Sequence, residues 1–540
     1  MKQLICLLLV LVMIFSGCAA NEDEATSGTA VGSQVGEGNV MQQEDQKEEK
    51  TALYLSMRTA FTLNPLLNEE ETVDRILKLI YEPFVSIDEM GKPVPNIAEN
   101  WYYSEESRVL NVRIRQGLTW HDGSPITPSD VVFSINALKQ CRDTGVYAVC
   151  AQRILSAEVT GENTVAITFY TADSNNLYAL TFPLISEAYY GGEDLATSEK
   201  NFAPLGNSIY AFESYTPAKE LRLVATDNSF SSRPNIEHVS VSITSSGDTD
   251  VFSFEQGMID ALVADETVLG AVNLEENSRS YSFTENYYDF LGFQFENPVL
   301  SDLSVRRAIA YAIPKESILE GVYLQNAVRA EAPLNPNSWM NQRHNETYGY
   351  NLQSARDLLA EAGFTSAQQE GEPLSRNTQE GTERLVFTIL VNEENTKRVQ
   401  AAARIAESLN SIGFDVTVEE VPFAEYTARL ENGDFTLFLG GWKLSYMPDF
   451  GYFFETGAAH NYGHYSSAAM DAAISAYRQA IGETAMTEAM ARLQECFLAE
   501  LPYVGIAFLN GALFLNDQIS GVGLPTEFHP LEGMEYWQLE

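Results

Sequence analysis

Little in this chain of 540 residues is spaced for covalent chemistry. No Gly-x-Ser-x-Gly stretch supplies a nucleophile elbow, and no His-Glu-x-x-His or Cys-x-x-Cys pair supplies a zinc site. The six histidines are scattered, and only His460 and His464, flanking Asn461, suggest a shared metal ion. Trp120, His121 and Asp122 set a ring, a base and an acid side by side, with no nucleophile next to them. Asp122-Gly123 is a tight-turn dipeptide, so this trio reads as a staple between a turn and the helix that follows. The chain is therefore not read as an enzyme, and neither a cofactor nor a resident metal is expected. What remains is binding chemistry: aromatic faces, hydroxyls and carboxylates.

The formal charge is −42, from 33 Lys and Arg against 75 Asp and Glu. Nucleic acid requires basic patches and is excluded as a partner; neutral or cationic ligands are electrostatically easier than polyanions. The opening MKQLICLLLVLVMIFSGC sets one cation ahead of an apolar run too short to span a bilayer. That describes a secretory signal peptide over residues 1–17. FSGC resembles the lipobox of bacterial lipoproteins, with Phe15 where Leu or Val is usual, and the resemblance makes Cys18 the lipidated first residue of the mature chain. Residues 18–50 are acidic and poor in large apolar side chains, so they read as a flexible tether. The expected location is the outer face of the bacterial cytoplasmic membrane, held there by lipid alone. Cys141 and Cys150 are left open between a local disulfide and two free thiols. Cys496 reads as a buried thiol in a helix.

The remaining chain is too long for a single core. Leu110, Val112 and Ile114 alternate as on a half-buried strand over 109–115. Strands are also expected over 52–57, 164–170, 220–225 and 238–244. A helix is expected over 69–79, behind three acids. Thr127, Pro128 and Asp130 suit the start of a helix running to Leu138, as N-cap, first residue and first-turn acid. From residue 287 strands and helices alternate: strand 290–295, helix from Ser301, helix from Ser354 closed by Gly363, strand 385–391, helix 399–412, strand 416–421, helix 423–430, strand 435–439. Two further helices, 466–481 and 484–501, lead into strands over 503–515. This order implies a sheet covered by helices. Residues 368–382 read as a polar surface loop.

Seven blocks in order carry a resemblance: TLNPLL near Asn64, LIYEPFVSID, GKPVPNIAENW, LNVRIRQGLTWHDGSPITPSDVVFSINAL, SDLSVRRAIAYAIPKESI, ARDLLAEAGF and GDFTLFLGGW ending at Trp442. They resemble the family 5 extracellular solute-binding proteins of bacterial ABC importers, the dipeptide-, oligopeptide- and nickel-binding class. The resemblance implies an α/β, two-lobed clamshell of the periplasmic-binding-protein type, with an extra domain in the first lobe. Lobe one would comprise 51–82, 196–286 and 507–540, the inserted domain 83–195, and lobe two 287–506. It further implies a monomer that captures short peptides between the lobes and delivers them to permease subunits. The same fold also serves nickel chelates, oligosaccharides and opine-like compounds.

The ligand site implied by the family centres on Trp442. Where relatives carry an aspartate for the peptide ammonium, this chain has Ser445, which brings no charge. Asp449 either replaces that anchor or caps a turn after Pro448. Glu69, Glu70 and Glu71 either line the cleft or serve the helix dipole. Tyr446, Tyr452 and Tyr462 are candidate walls. PLGNSIY from Pro204 stands where relatives carry Gly-Thr-Gly-Pro-Tyr.

Overall fold

Leu53, Leu55 and Met57 bury one face of strand Ala52–Arg58, as alternation requires. In the computed structural model, which describes residues 51–104, 106–140, 144–227, 232–273, 278–341, 347–365 and 371–540, this strand edges a four-stranded sheet. Its neighbours are His238–Thr244, parallel to it, then Glu220–Ala225 and Tyr210–Thr216, both antiparallel. The signal peptide, Cys18, the tether and Cys141 lie outside the described residues.

A second four-stranded sheet runs in the order Ala98–Tyr103, Val109–Ile114, Thr164–Phe169, Ile154–Gly161, all antiparallel. Leu110, Val112 and Ile114 are buried on its inner face. Helix Pro128–Gln140 packs on this sheet. Its start differs in detail from the expected cap. The Thr127 hydroxyl donates to Asp130 Oδ2 at 2.9 Å, and the Thr127 N–H donates to the same oxygen at 2.7 Å. The acid, not the hydroxyl, takes the orphan N–H, as in the returning half of a capping box.

The largest sheet has seven strands. Its main order is Ala261–Ala264, Tyr503–Asn516, Ser278–Phe293, Leu437–Lys443, Val386–Asn392, Asp415–Val421, and Ala327–Arg329 pairs with Tyr503–Asn516. Val386–Asn392 is parallel to both its neighbours. Helices Thr396–Asn410 and Phe423–Glu431 make the crossovers that parallel pairing demands. In the first of these, Ala402, Ile405, Ala406 and Leu409 form the buried stripe. Gly413 then turns the chain at φ 103°, where a Cβ would meet Leu374 Cγ at 2.5 Å.

The two longest strands, Ser278–Phe293 with 16 residues and Tyr503–Asn516 with 14, lie side by side. The first extends well upstream of the strand expected from Phe290, because Ser, Arg, Thr and Asn interrupt its apolar pattern. Other boundaries also shift for local reasons. Asp302 and Asn351, not Ser301 and Ser354, cap their helices. Glu70 caps helix Glu71–Leu77, shortening the expected 69–79. The segment 368–382 is not all loop: Ser375–Asn377 pairs with Thr382–Arg384. No helix among the described residues is long and apolar enough to cross a membrane.

Candidate functional site

A cavity of about 950 Å³ lies where the largest sheet meets the segments around the second. One side is built by the turn Glu89–Gly91, helix Ala148–Arg153 and Tyr178. The opposite side is built by residues 333–339 and by the stretch from Lys443 to Phe453 that follows strand Leu437–Lys443. Ser282, Phe283, Thr284 and Asn286 of the long strand and residues 524–528 complete the lining. Residues 333–341 cover the cavity through specific bonds. Trp339 donates its indole N–H to Tyr178 Oη at 2.9 Å and its main-chain N–H to Met90 O at 3.0 Å; Tyr178 in turn donates to Gly91 O at 3.1 Å.

Of the residues expected at the site, Ser445, Tyr446, Asp449 and Tyr452 line this cavity, whereas Trp442, Tyr462, Glu69, Glu70 and Glu71 do not. Trp442 pairs with Tyr288 across the sheet and packs behind the wall. Its ring stacks on Phe290 at 6.3 Å and on Tyr462 at 5.8 Å, and touches Phe453 at 5.0 Å. Its indole N–H is buried without a partner. Tyr462 binds His460 Nδ1 through its hydroxyl at 3.0 Å. Tyr452 is about half exposed and stacks on His460 at 4.3 Å.

Ser445 accepts the Met447 N–H at 3.1 Å, which turns the chain into the cavity wall. Tyr446 crosses to the opposite side, where its hydroxyl meets Cys150 Sγ at 3.4 Å and Thr181 Oγ1 at 3.2 Å. Cys150 is a free, buried thiol whose pKa is raised to about 11 by burial. Asp449 accepts the Gly451 N–H at 2.9 Å and pairs with Arg478 at 3.0 Å, so its charge is compensated internally.

The three acids divide. Glu69 is exposed; Glu70 caps its helix by accepting the Thr72 N–H at 3.2 Å. Glu71 grips the Lys443 ammonium with both oxygens, at 2.6 and 2.5 Å. Burial by itself would lower the Lys443 pKa, but the Glu71 carboxylate outweighs it and the net shift is upward.

Two carboxylates beside that pair escaped the sequence reading. Glu527 lines the cavity and accepts the Asn286 N–H at 3.0 Å. Burial raises its pKa to about 7, with Lys443 pulling the other way. Glu285 is raised to about 8 by burial and then by Glu527. Lys443, beside Trp442, was a visible signal; a glutamate in the C-terminal tail carried none.

The trio at Trp120 is structural. His121 Nε2 contacts Ser208 O at 2.9 Å and Asp122 accepts the Ser124 N–H at 2.9 Å. The staple thus reaches across to the 206–208 loop as well as closing its own turn. His460 and His464 face different partners, Tyr462 and Glu296. Among the described residues no group of three or more His, Cys, Asp or Glu is placed to hold a metal ion.

The cavity is walled by rings and by charges that are mostly paired, Lys443 with Glu71, Asp449 with Arg478 and Arg153 with Asp173, and its size suits a solute. The chain belongs to the bacterial extracellular solute-binding proteins, family 5, whose model matches residues 92–463. It is 22% identical to the oligopeptide-binding protein AppA of Bacillus subtilis over 492 residues, 88% of this chain and 89% of that protein. The crystal structure of Bacillus subtilis AppA with a nonapeptide matches with a TM-score of 0.61 and 22% identity over 91% of this chain and 98% of that one. The structure of NikZ from Campylobacter jejuni with Ni(L-His) matches with a TM-score of 0.65 and 25% identity over 91% of this chain and 99% of that one. The two-lobed α/β fold expected from the sequence is the fold of these proteins, and this chain is a solute-binding protein of the ABC-importer type.

Proposed function

We propose that this protein is a lipid-anchored receptor that captures short peptides between its lobes and hands them to the permease subunits of an importer. The observation that carries the reading is the cavity of about 950 Å³, at the upper end of ordinary ligand pockets. Its walls combine rings with polar side chains and main-chain groups, which suits a ligand of main-chain amides and varied side chains. Similarity to an oligopeptide-binding protein supports the same reading. In this account Cys18 carries the lipid, 18–50 gives reach, and a monomer suffices. Lobe one (51–82, 196–286, 507–540) and lobe two (287–506), with 83–195 inserted, share the long strands Ser278–Phe293 and Tyr503–Asn516 as their connection.

Native mass spectrometry with an equimolar tetrapeptide library tests the ligand class: bound peptide supports it. Binding of sugars or metal chelates with none of the peptides would replace it by the non-peptide alternative on the same fold. Cys18→Ala should release protein that still binds.

A further inference from the structure

A second, smaller pocket of about 150 Å³ lies apart from the cavity described above, among strand Ala52–Arg58, helix Glu71–Leu77 and the segment that follows strand Ala261–Ala264. Apolar Ile76, Leu262 and Val268 form part of its wall, and the charged residues that line it are Arg58, Arg75, Asp250 and Asp265. Arg58 and Asp250 are joined at 2.6 Å and compensate each other. Arg75 and Asp265 are not joined. The half-buried Arg75 guanidinium carries five donors, yet it makes no hydrogen bond or ion pair with any described residue. The acids around it are engaged elsewhere or stand off. Glu71, one turn earlier on the same helix and the natural i,i+4 partner, grips Lys443 with both oxygens. Asp250 holds Arg58, and Glu285 accepts the Glu266 N–H. Asp265 accepts the Thr267 N–H on Oδ1 at 2.9 Å and keeps Oδ2 open. Burial lowers the Arg75 pKa while Asp265, Glu71, Glu285 and Asp250 raise it, so a charge is held partly out of water with no partner in contact.

We infer that this pocket is a second binding site, for a compact zwitterion of the α-amino acid type, whose carboxylate takes the Arg75 guanidinium and whose ammonium takes Asp265. The class of ligand follows from charge and size. A guanidinium offers a carboxylate two parallel hydrogen bonds, and leaving such a group unpaired away from water is costly. A bare anion would be repelled by Asp250, Asp265, Glu71 and Glu285, and a bare cation by Arg75 and Arg58. A zwitterion meets one open charge of each sign. About 150 Å³ suits a side chain the size of alanine's and excludes a peptide, so the site differs from the larger cavity in ligand as well as in place. Its occupancy does not depend on which solute fills that cavity. Arg75 and Glu71 share one short helix, so an occupant on Arg75 lies one turn from the residue that holds Lys443 in the wall of the larger cavity.

The test uses the full chain with L-alanine, propionate and ethylamine as probes. Ligand-detected NMR titrations at pH 7 should show alanine binding roughly tenfold or more tightly than either probe that carries a single charge. Hydrogen exchange read by mass spectrometry should place the alanine-dependent protection in residues 55–58, 72–76 and 261–268, and not in 443–453 or 524–528. Arg75→Gln and Asp265→Asn should each weaken alanine about tenfold, and Asp265→Asn, at an exposed position, should keep its melting temperature. Propionate binding as tightly as alanine would make this a plain anion site, and protection at 443–453 would put alanine in the larger cavity; either result overturns the assignment. Binding of none of the probes leaves water as the occupant and overturns it as well. None of these outcomes bears on peptide capture, which the tetrapeptide library reads separately. The probe series and the exchange map both use wild-type protein and decide the matter even if a variant does not fold.

Discussion

Glu71 and Lys443, 372 positions apart in the chain, meet in a two-oxygen grip at 2.6 and 2.5 Å. One begins a short helix near the first strand; the other ends the strand that carries Trp442. The pair ties the helix after the first strand to Lys443 in the cavity wall, and the same ammonium also favours the ionised form of Glu527.

Both side chains of the pair are well exposed, 41% for Lys443 and 66% for Glu71, so its contribution to stability is small. Glu71→Gln is expected to change unfolding free energy by about 0–1 kcal/mol in urea titrations. The larger effect falls on the ligand. With Lys443 released from Glu71 in the wall of the cavity, peptide affinity measured by native mass spectrometry should fall. An unchanged affinity would show that the Lys443 ammonium has no part in binding.

Trp442 stacks on Phe290 and Tyr462 behind the wall and does not line the cavity. Trp442→Ala should therefore cost about 2–4 kcal/mol of stability through lost packing. Peptide affinity measured well below the melting point should change little. A loss of binding without a loss of stability would put the ring in contact with the ligand.

Trp339 holds the cover through its indole N–H on Tyr178. Trp339→Phe keeps the ring and removes that bond, worth about 1 kcal/mol. Peptide release in stopped-flow experiments should quicken about fivefold, with the association rate nearly unchanged. An unchanged release rate would show that residues 333–341 do not gate the cavity.

Glu285 and Glu527 have pKa values raised to about 8 and about 7 in the folded chain. Between the ordinary carboxylate value and these, the folded state holds more protons than the unfolded one. Their contribution to stability is thus fully present below about pH 4 and lost as the pH rises through 7 to 8. Glu285→Gln cannot ionise, so its melting temperature should gain on wild type steadily from pH 5 to pH 8.5. A difference that is flat with pH would contradict the burial of this carboxylate.

What the sequence revealed follows from which residues are half buried. Leu110, Val112 and Ile114 alternate because Val109–Ile114 is an inner strand with one wet face. Ala98–Tyr103, Ile154–Gly161 and Tyr210–Thr216 escaped detection because all three are sheet edges, mostly exposed on both faces. Helix Thr396–Asn410 was legible from its stripe and from Gly413; the caps Asp302 and Asn351 were missed because serines nearby are equally good candidates. At the site, Ser445, Tyr446, Asp449 and Tyr452 came from motif position. Glu527 and Trp339 are brought to the cavity only by long-range folding, which no local pattern encodes. The compensation of Asp449 by Arg478, 29 positions away, was hidden for the same reason.

The most direct measurement is native mass spectrometry of the full-length wild-type chain with the tetrapeptide library. One peptide per protein, displaceable by further peptide, is the predicted result. A protein that binds none of the peptides but takes up an oligosaccharide or a nickel–histidine chelate would contradict the account.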